Sequence, residues 1–211
     1  MTLRSEIGES PAVVDRLLVS AQPALRDLAA HVRRRGIEAV FIAARGTSDH
    51  AATYAQYVLG IRNELPVGLA TPSVQSLYGA SPNVKHSLVV GVSQSGRSPD
   101  VVEVLADARR QDALTLAVTN APDSPLAGVA DVVVNLNAGL ELAVAASKTY
   151  VAELVVIALL SEALRGAEVD EALMRIPSSL AGALESERAV ASLAADRRGL
   201  PECAVIARGY N

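Results

Sequence analysis

Apolar residues at the start of the chain recur at helical spacing: Val14, Leu17 and Leu18, then Leu25, Leu28 and Val32. Ser10-Pro11 reads as an N-cap followed by proline in a first helical turn. Gly36 reads as the stop of a second helix. From Ala39 the pattern changes. Short apolar runs predict strands at Ala39–Ala43, Pro66–Ala70, Leu88–Val92, Leu114–Thr119 and Asp131–Leu136. Between them, helical patterns predict helices over Ser48–Leu59, Val74–Tyr78 and Pro99–Gln111, with a short one opening at Ser124-Pro125. A long, mostly apolar helix is predicted over Ala143–Leu164, and a more charged one over Ser179–Ala195. A last strand is predicted at Ala204–Ala207.

Strands that are apolar on both faces and separated by helices imply a parallel sheet built from βαβ units. The expected fold is therefore α/β, a three-layer αβα sandwich around a five-stranded parallel sheet, doubly wound in the flavodoxin-like order. The division expected along the chain is a helical extension (1–38), the α/β domain (39–166) and a helical connector (167–202). The first strand of a second domain (203–211) would follow. That last expectation rests on an echo. Phe41-Ile-Ala-Ala-Arg-Gly-Thr-Ser48 and Val205-Ile-Ala-Arg-Gly-Tyr-Asn211 each run an apolar strand into Ala-Arg-Gly, and Arg45 and Arg208 stand 163 positions apart. A repeat at domain-sized spacing points to duplication, with the second copy broken off.

Composition narrows the class. Of 211 residues half are hydrophobic and 3% aromatic, which suits Val/Leu-rich strands under Ala-rich helices. The net charge of −4 gives no electrostatic footprint for nucleic acid. The densest basic run, Arg33-Arg34-Arg35, fits the last turn of a helix, where cations oppose the negative dipole end. The lone Cys203 excludes an intramolecular disulfide framework. The opening Met1-Thr2-Leu3-Arg4-Ser5-Glu6 is no signal peptide, and the apolar run Leu154–Leu160 is too short to span a bilayer. A cytoplasmic protein with no membrane partner is expected.

In an open parallel sheet, ligands bind beyond the carboxyl ends of the strands. Three of the loops there are unusual: Arg45-Gly46-Thr47-Ser48, Ser93-Gln94-Ser95-Gly96-Arg97-Ser98, and Asn137-Ala138-Gly139-Leu140-Glu141 leading to Ser147-Lys148-Thr149. A phosphate at a helix N-terminus meets free backbone N–H groups and the positive dipole end. Serine and threonine hydroxyls add short donors, Gln94 adds an amide for sugar hydroxyls, and Gly46 and Gly96 permit close backbone approach. Thr47, Ser48 and Ser98 equally suit helix capping. Capping needs one side chain per helix, however, and Ser93, Ser95 and Ser98 in one loop exceed that need. Asp100, in the same first turn, opposes an anion. Glu141 either accepts from a sugar hydroxyl or from backbone amides; Lys148 either faces the ligand or pairs with an acid. His50 is either structural or near the site, and His31 and His86 read as surface residues. No G-x-G-x-x-G follows a strand and no P-loop motif occurs. With no metal-spaced His/Cys/Asp cluster, neither cofactor nor metal is expected.

These motifs, with Val144-Ala145 and Lys148, resemble the SIS (sugar isomerase) domain family, from about Glu6 to Asn211. They are most similar to the isomerase half of glucosamine-6-phosphate synthases and to SIS-type glucosamine-6-phosphate deaminases. The resemblance implies that Thr47, Ser48, Ser93, Gln94, Ser95 and Ser98 hold the phosphate and hydroxyls of a hexose 6-phosphate, with Val144 contributing through its backbone. It also implies ring opening followed by proton transfer between C1 and C2, without cofactor. The acid and base, a glutamate and a histidine, belong to a second SIS domain in that family, so no catalytic residue is assigned in this chain. Ala146 stands where the synthases carry a sugar-contacting serine, Arg45 where they often carry cysteine, and Arg97 where they carry an acid. The run Arg97-Ser98-Pro99-Asp100 is closer to the deaminase branch. The nucleophilic cysteine of a glutaminase half is missing from Met1-Thr2-Leu3.

The expected function is sugar-phosphate binding within an isomerase or deaminase acting on glucosamine 6-phosphate and fructose 6-phosphate. The alternatives are a non-catalytic sugar-phosphate-sensing module of a regulator, and a standalone isomerase of the sedoheptulose type. A homodimer is expected, because the apolar helix from Ala143 needs a partner surface, within the chain or outside it.

Overall fold

A computed structural model of the chain describes residues 2–200 together with Glu202 and Ala204. Five strands, β1 (Ala39–Ala43), β2 (Val67–Leu69), β3 (Ser87–Val92), β4 (Leu114–Thr119) and β5 (Val132–Asn135), form one parallel sheet in the order β2-β1-β3-β4-β5. This is the flavodoxin-like order. The helices are α1 (Leu3–Ser20), α2 (Gln22–Arg35), α3 (Thr47–Asn63), α4 (Ser73–Ser76), α5 (Pro99–Arg110), α6 (Pro125–Gly128), α7 (Lys148–Arg165), α8 (Glu171–Met174), α9 (Ile176–Leu184) and α10 (Glu187–Asp196).

Strand periodicity decides which helix covers which face. Val40, Ile42, Leu88, Val90, Leu114, Leu116 and Val118 point to one side, where α1, α2, α3 and α7 close the larger core. Phe41, Ala43, Val89 and Ala117 point to the other, where Val101, Val104, Leu105 and Ala108 of α5 and Leu126 of α6 pack. Gly91 lets α5 approach the sheet, since a Cβ there would sit 2.9 Å from a Leu105 methyl. The layers are those of an αβα sandwich. The two N-terminal helices belong to its larger core rather than standing apart as an extension.

Several boundaries differ from the sequence reading. The first helix does not start at Ser10-Pro11. It starts at Leu3 behind a capping box between Thr2 and Ser5, and Pro11 lies inside it. Burial of Val13, Val14, Leu17 and Leu18 outweighs the lost backbone bond. The long apolar helix starts at Lys148, not Ala143, because side-chain carboxylates claim the amides before it: Glu6 accepts from Leu142 and Ala143, and Glu141 accepts from Ser147. The charged helix over 179–195 divides into α9 and α10. Ile176 and Leu180 pack against the core, while α10 is exposed throughout. Apart from Ala204, the expected strand and echo at 203–211 lie outside the described residues, as does Cys203.

The apolar surface of α7 is covered within the chain by α1, α2 and α3. The reason given for a homodimer therefore falls away. Among the described residues no helix is long and apolar enough to cross a membrane.

Candidate functional site

The strand order places β1 and β3 side by side, with Ala43 opposite Gly91 at their carboxyl ends. From there the chain leaves in opposite directions. After β1 it enters α3 on the larger-core side, and after β3 it enters α5 on the other side. The crevice between two such departures is where α/β sheets of this order bind ligands. The loops 44–46 and 93–98 leave the sheet at this switch point and lead into the N-termini of α3 and α5. An ion pair ties the two loops, Arg45 Nη1 to Asp100 Oδ2 at 3.0 Å. Asp100, an obstacle to an anion on sequence grounds, is thus neutralised by the neighbouring loop.

Capping does not use the hydroxyls. The N-cap of α3 is Gly46, with φ +59°, and neither Gly46 nor Ser98, the N-cap of α5, makes a side-chain cap bond. Thr47 is half-buried at the first residue of α3, and Ser48 is buried at the second. The Ser93 and Ser98 hydroxyls lie 3.3 Å apart, and Ser95 Oγ accepts from the Arg97 amide at 3.3 Å. Ser98 thus holds the N-cap position expected of it without a side-chain cap bond, whereas Thr47 and Ser48 lie inside α3, past its N-cap. Gly96 has a positive φ, and its lack of a Cβ admits close contact with Ser124 and Thr119.

The third loop is built differently. The Gln94 carbonyl accepts from the Asn120 amide, and the Asn120 side chain donates to Gly139 O at 2.7 Å and accepts from Ala138 N at 2.8 Å. Asn120 thus strings the loops after β3, β4 and β5 together. Glu141 takes the second of its two roles: it accepts from the amides of Ser147 and Thr149 and from both their hydroxyls, capping α7. Lys148 pairs with an acid. It is completely buried, 2.6 Å from Glu9 Oε2 and 2.8 Å from Leu140 O. Leu140, Leu142 and Val144 point outward, Val144 fully exposed. His50 is exposed just inside α3.

Sequence reasoning missed three carboxylates. Glu6, wholly buried, holds Leu142 N and Ala143 N at 2.6 and 3.1 Å; nothing near it in the sequence marks it as the partner of a loop so far along the chain. Glu9 was hidden the same way. Glu153 is buried in α7, accepts from Ser48 Oγ at 2.8 Å, and its other oxygen meets no partner among the described residues. An acid inside an otherwise apolar stretch of helix was its signal. Glu6→Ala should cost about 1–2 kcal/mol by releasing two loop amides. Limited proteolysis should then cut residues 137–147 faster, and unchanged cleavage would count against this clamp. Among the described residues no group of three His, Cys, Asp or Glu is placed to hold a metal ion.

Hydroxyl-rich loops and two helix N-termini at the switch point of a five-stranded parallel sheet mark a doubly wound α/β domain. Residues 35–163 match the profile of the SIS domain, and the chain belongs to that family. It is 31% identical to the glutamine–fructose-6-phosphate aminotransferase (isomerizing) of Gloeobacter violaceus, over 98% of this chain and 36% of that protein. A crystal structure of a candidate phosphosugar isomerase from Silicibacter pomeroyi superposes with a TM-score of 0.81 at 40% identity, covering 85% of this chain and 55% of that one. The C-terminal domain of the Francisella tularensis glucosamine-fructose-6-phosphate aminotransferase shares the fold, with a TM-score of 0.73 at 22% identity over 90% and 58% of the two chains. The chain spans about a third of the length of the curated relatives it matches.

Proposed function

We propose that this chain supplies the phosphate cradle of an aldose–ketose isomerase or deaminase acting on glucosamine 6-phosphate and fructose 6-phosphate. The observation that carries the reading is the pair of loops after β1 and β3, joined by Arg45 and Asp100, whose hydroxyls are not spent on capping. In this reading Thr47, Ser48, Ser93, Ser95 and Ser98 donate to the phosphate, and Gln94 meets sugar hydroxyls. The Val144 backbone forms the rim. Glu141 and Lys148 shape that rim by fixing its backbone. By the family resemblance, the acid and base that move the proton between C1 and C2 come from a second SIS domain. Similarity to aminotransferases and candidate isomerases supports the substrate class. The run Arg97-Ser98-Pro99-Asp100 favours the deaminase branch.

Calorimetric titration with glucosamine 6-phosphate, fructose 6-phosphate and inorganic phosphate tests the reading. A hexose phosphate should bind more tightly than bare phosphate. Ser95→Ala should weaken that binding by about 1–3 kcal/mol, through loss of a donor to a charged group. Equal affinity for all three ligands, or an unchanged Ser95→Ala titration, sinks it.

A further inference from the structure

We infer that Glu153 is a positioning residue of this crevice, taking up a proton when a phosphate ester binds and thereby turning the Ser48 hydroxyl into a donor toward the phosphate. The inference rests on the reading of Ser48 as a phosphate-binding residue.

Glu153 is 1% exposed, and one carboxylate oxygen accepts from Ser48 Oγ while the other, equally buried, meets no donor among the described residues. Ser48 has a single hydroxyl proton. While Glu153 is ionised, that proton points down to it, and Ser48 shows only lone pairs to whatever lies above. A phosphate oxygen also brings only lone pairs. The pair is then mismatched, and two anions are held close together in a poorly solvated place. One proton on Glu153 resolves both conflicts. The carboxyl O–H donates to Ser48 Oγ, and the Ser48 hydroxyl is free to donate outward. The only covalent change is the O–H bond formed on Glu153, with a proton taken from solvent.

The surroundings agree. Burial pushes the Glu153 carboxyl up to about 7, the bond from Ser48 opposes this, and the charge of Glu141 adds to the rise. Other charged or titratable groups on the elements packed around this end of α7 include Glu6, Glu9 and Arg16 of α1, Lys148 and Tyr150 in its own first turn, and Asp49, His50 and Tyr54 of α3. Lys148, the nearest cation along the helix, is committed to Glu9 and Leu140 O. Arg26 and Arg33 of α2 lie at the far end of the helix, beside Glu162.

The experiment is calorimetry of the whole chain with fructose 6-phosphate between pH 6.5 and 9, in buffers of different ionisation enthalpy. At pH 8 the native chain should take up close to one proton per ligand bound. Its affinity should fall about tenfold per pH unit above neutrality. Glu153→Gln, whose amide donates to Ser48 as the protonated acid does, should bind at pH 8 at least as tightly as the native chain, with no uptake from this position and a flat pH profile. Ser48→Ala should bind weakly and with a shallower pH profile, since only the repulsion between Glu153 and the phosphate remains; an unchanged slope in Ser48→Ala counts against the hydroxyl link should Glu153→Gln fail to fold. Tight binding without proton uptake, or the same pH slope in Glu153→Gln, overturns the inference while leaving the cradle standing. Absence of binding by the native chain at every pH overturns the cradle itself and this inference with it.

Discussion

Gly96→Ala is expected to destabilise the domain by about 2–5 kcal/mol and to abolish measurable hexose-phosphate binding. Two costs add. Gly96 has φ +61°, a left-handed conformation costing an alanine about 1–2 kcal/mol. A Cβ there would lie 2.5 Å from Ser124 Cβ and 2.9 Å from Thr119 Oγ1. Such overlap in a packed place costs about 1–3 kcal/mol more. Relief by local motion is restricted. Gly96 N donates to Ser93 O and Gly96 O accepts from Leu126 N, so displacing the residue breaks the turn that sets Ser93, Ser95 and Ser98. Urea unfolding gives the first quantity and calorimetry with fructose 6-phosphate the second. Ser124→Gly in the Gly96→Ala background removes the closer overlap and should restore part of the stability. A Gly96→Ala domain within about 1 kcal/mol of the native one, binding normally, would show that the loop tolerates what this packing forbids.

The sheet was legible in the sequence because each strand is a short run of Val, Leu, Ile and Ala bounded by polar turns. Ala39–Ala43 and Leu114–Thr119 are placed to the residue. The candidate loops after β1 and β3 stood out for a related reason: Gly-Ser-Thr clusters after strands have few uses. What was hidden was settled by tertiary acceptors. Nothing local tells that Glu6 captures amides 136 and 137 positions away, and that capture keeps 142–147 out of a helix the local pattern favours. For Lys148 the sequence left ligand and acid equally open, and its ammonium is completed by Glu9, 139 positions back. Pro11 looked like a helix start because the local rule is strong, yet burial of Val14 and Leu17 carries the helix through it. Local rules failed where a buried charge had to find its partner far along the chain. There the partner is not encoded by spacing.

The stability of the chain should fall as pH rises from about 4.5 to about 7, by an amount on the order of 3 kcal/mol traceable to Glu153. Its carboxyl is raised to about 7 in the folded chain, chiefly by burial, from an ordinary 4.5. Between those values the folded state holds a proton that the unfolded state has released. The stabilisation is complete below the unfolded value, is lost as pH climbs through the folded one, and is constant above it. A separation of this size is worth about 3 kcal/mol, a large part of the roughly 5–15 kcal/mol that holds a domain together. Glu153→Gln keeps the shape and a donor for Ser48 but cannot ionise. It should match the native chain near pH 4.5 and exceed it by up to about 3 kcal/mol at pH 8. Urea unfolding of both proteins at the two pH values isolates the effect, because other carboxylates titrate alike in each and cancel in the difference. Equal native-minus-variant differences at pH 4.5 and 8 would mean that water or a rearranged Ser48 already solvates the ionised carboxylate. The orphaned oxygen would then carry no electrostatic cost to be relieved by a proton.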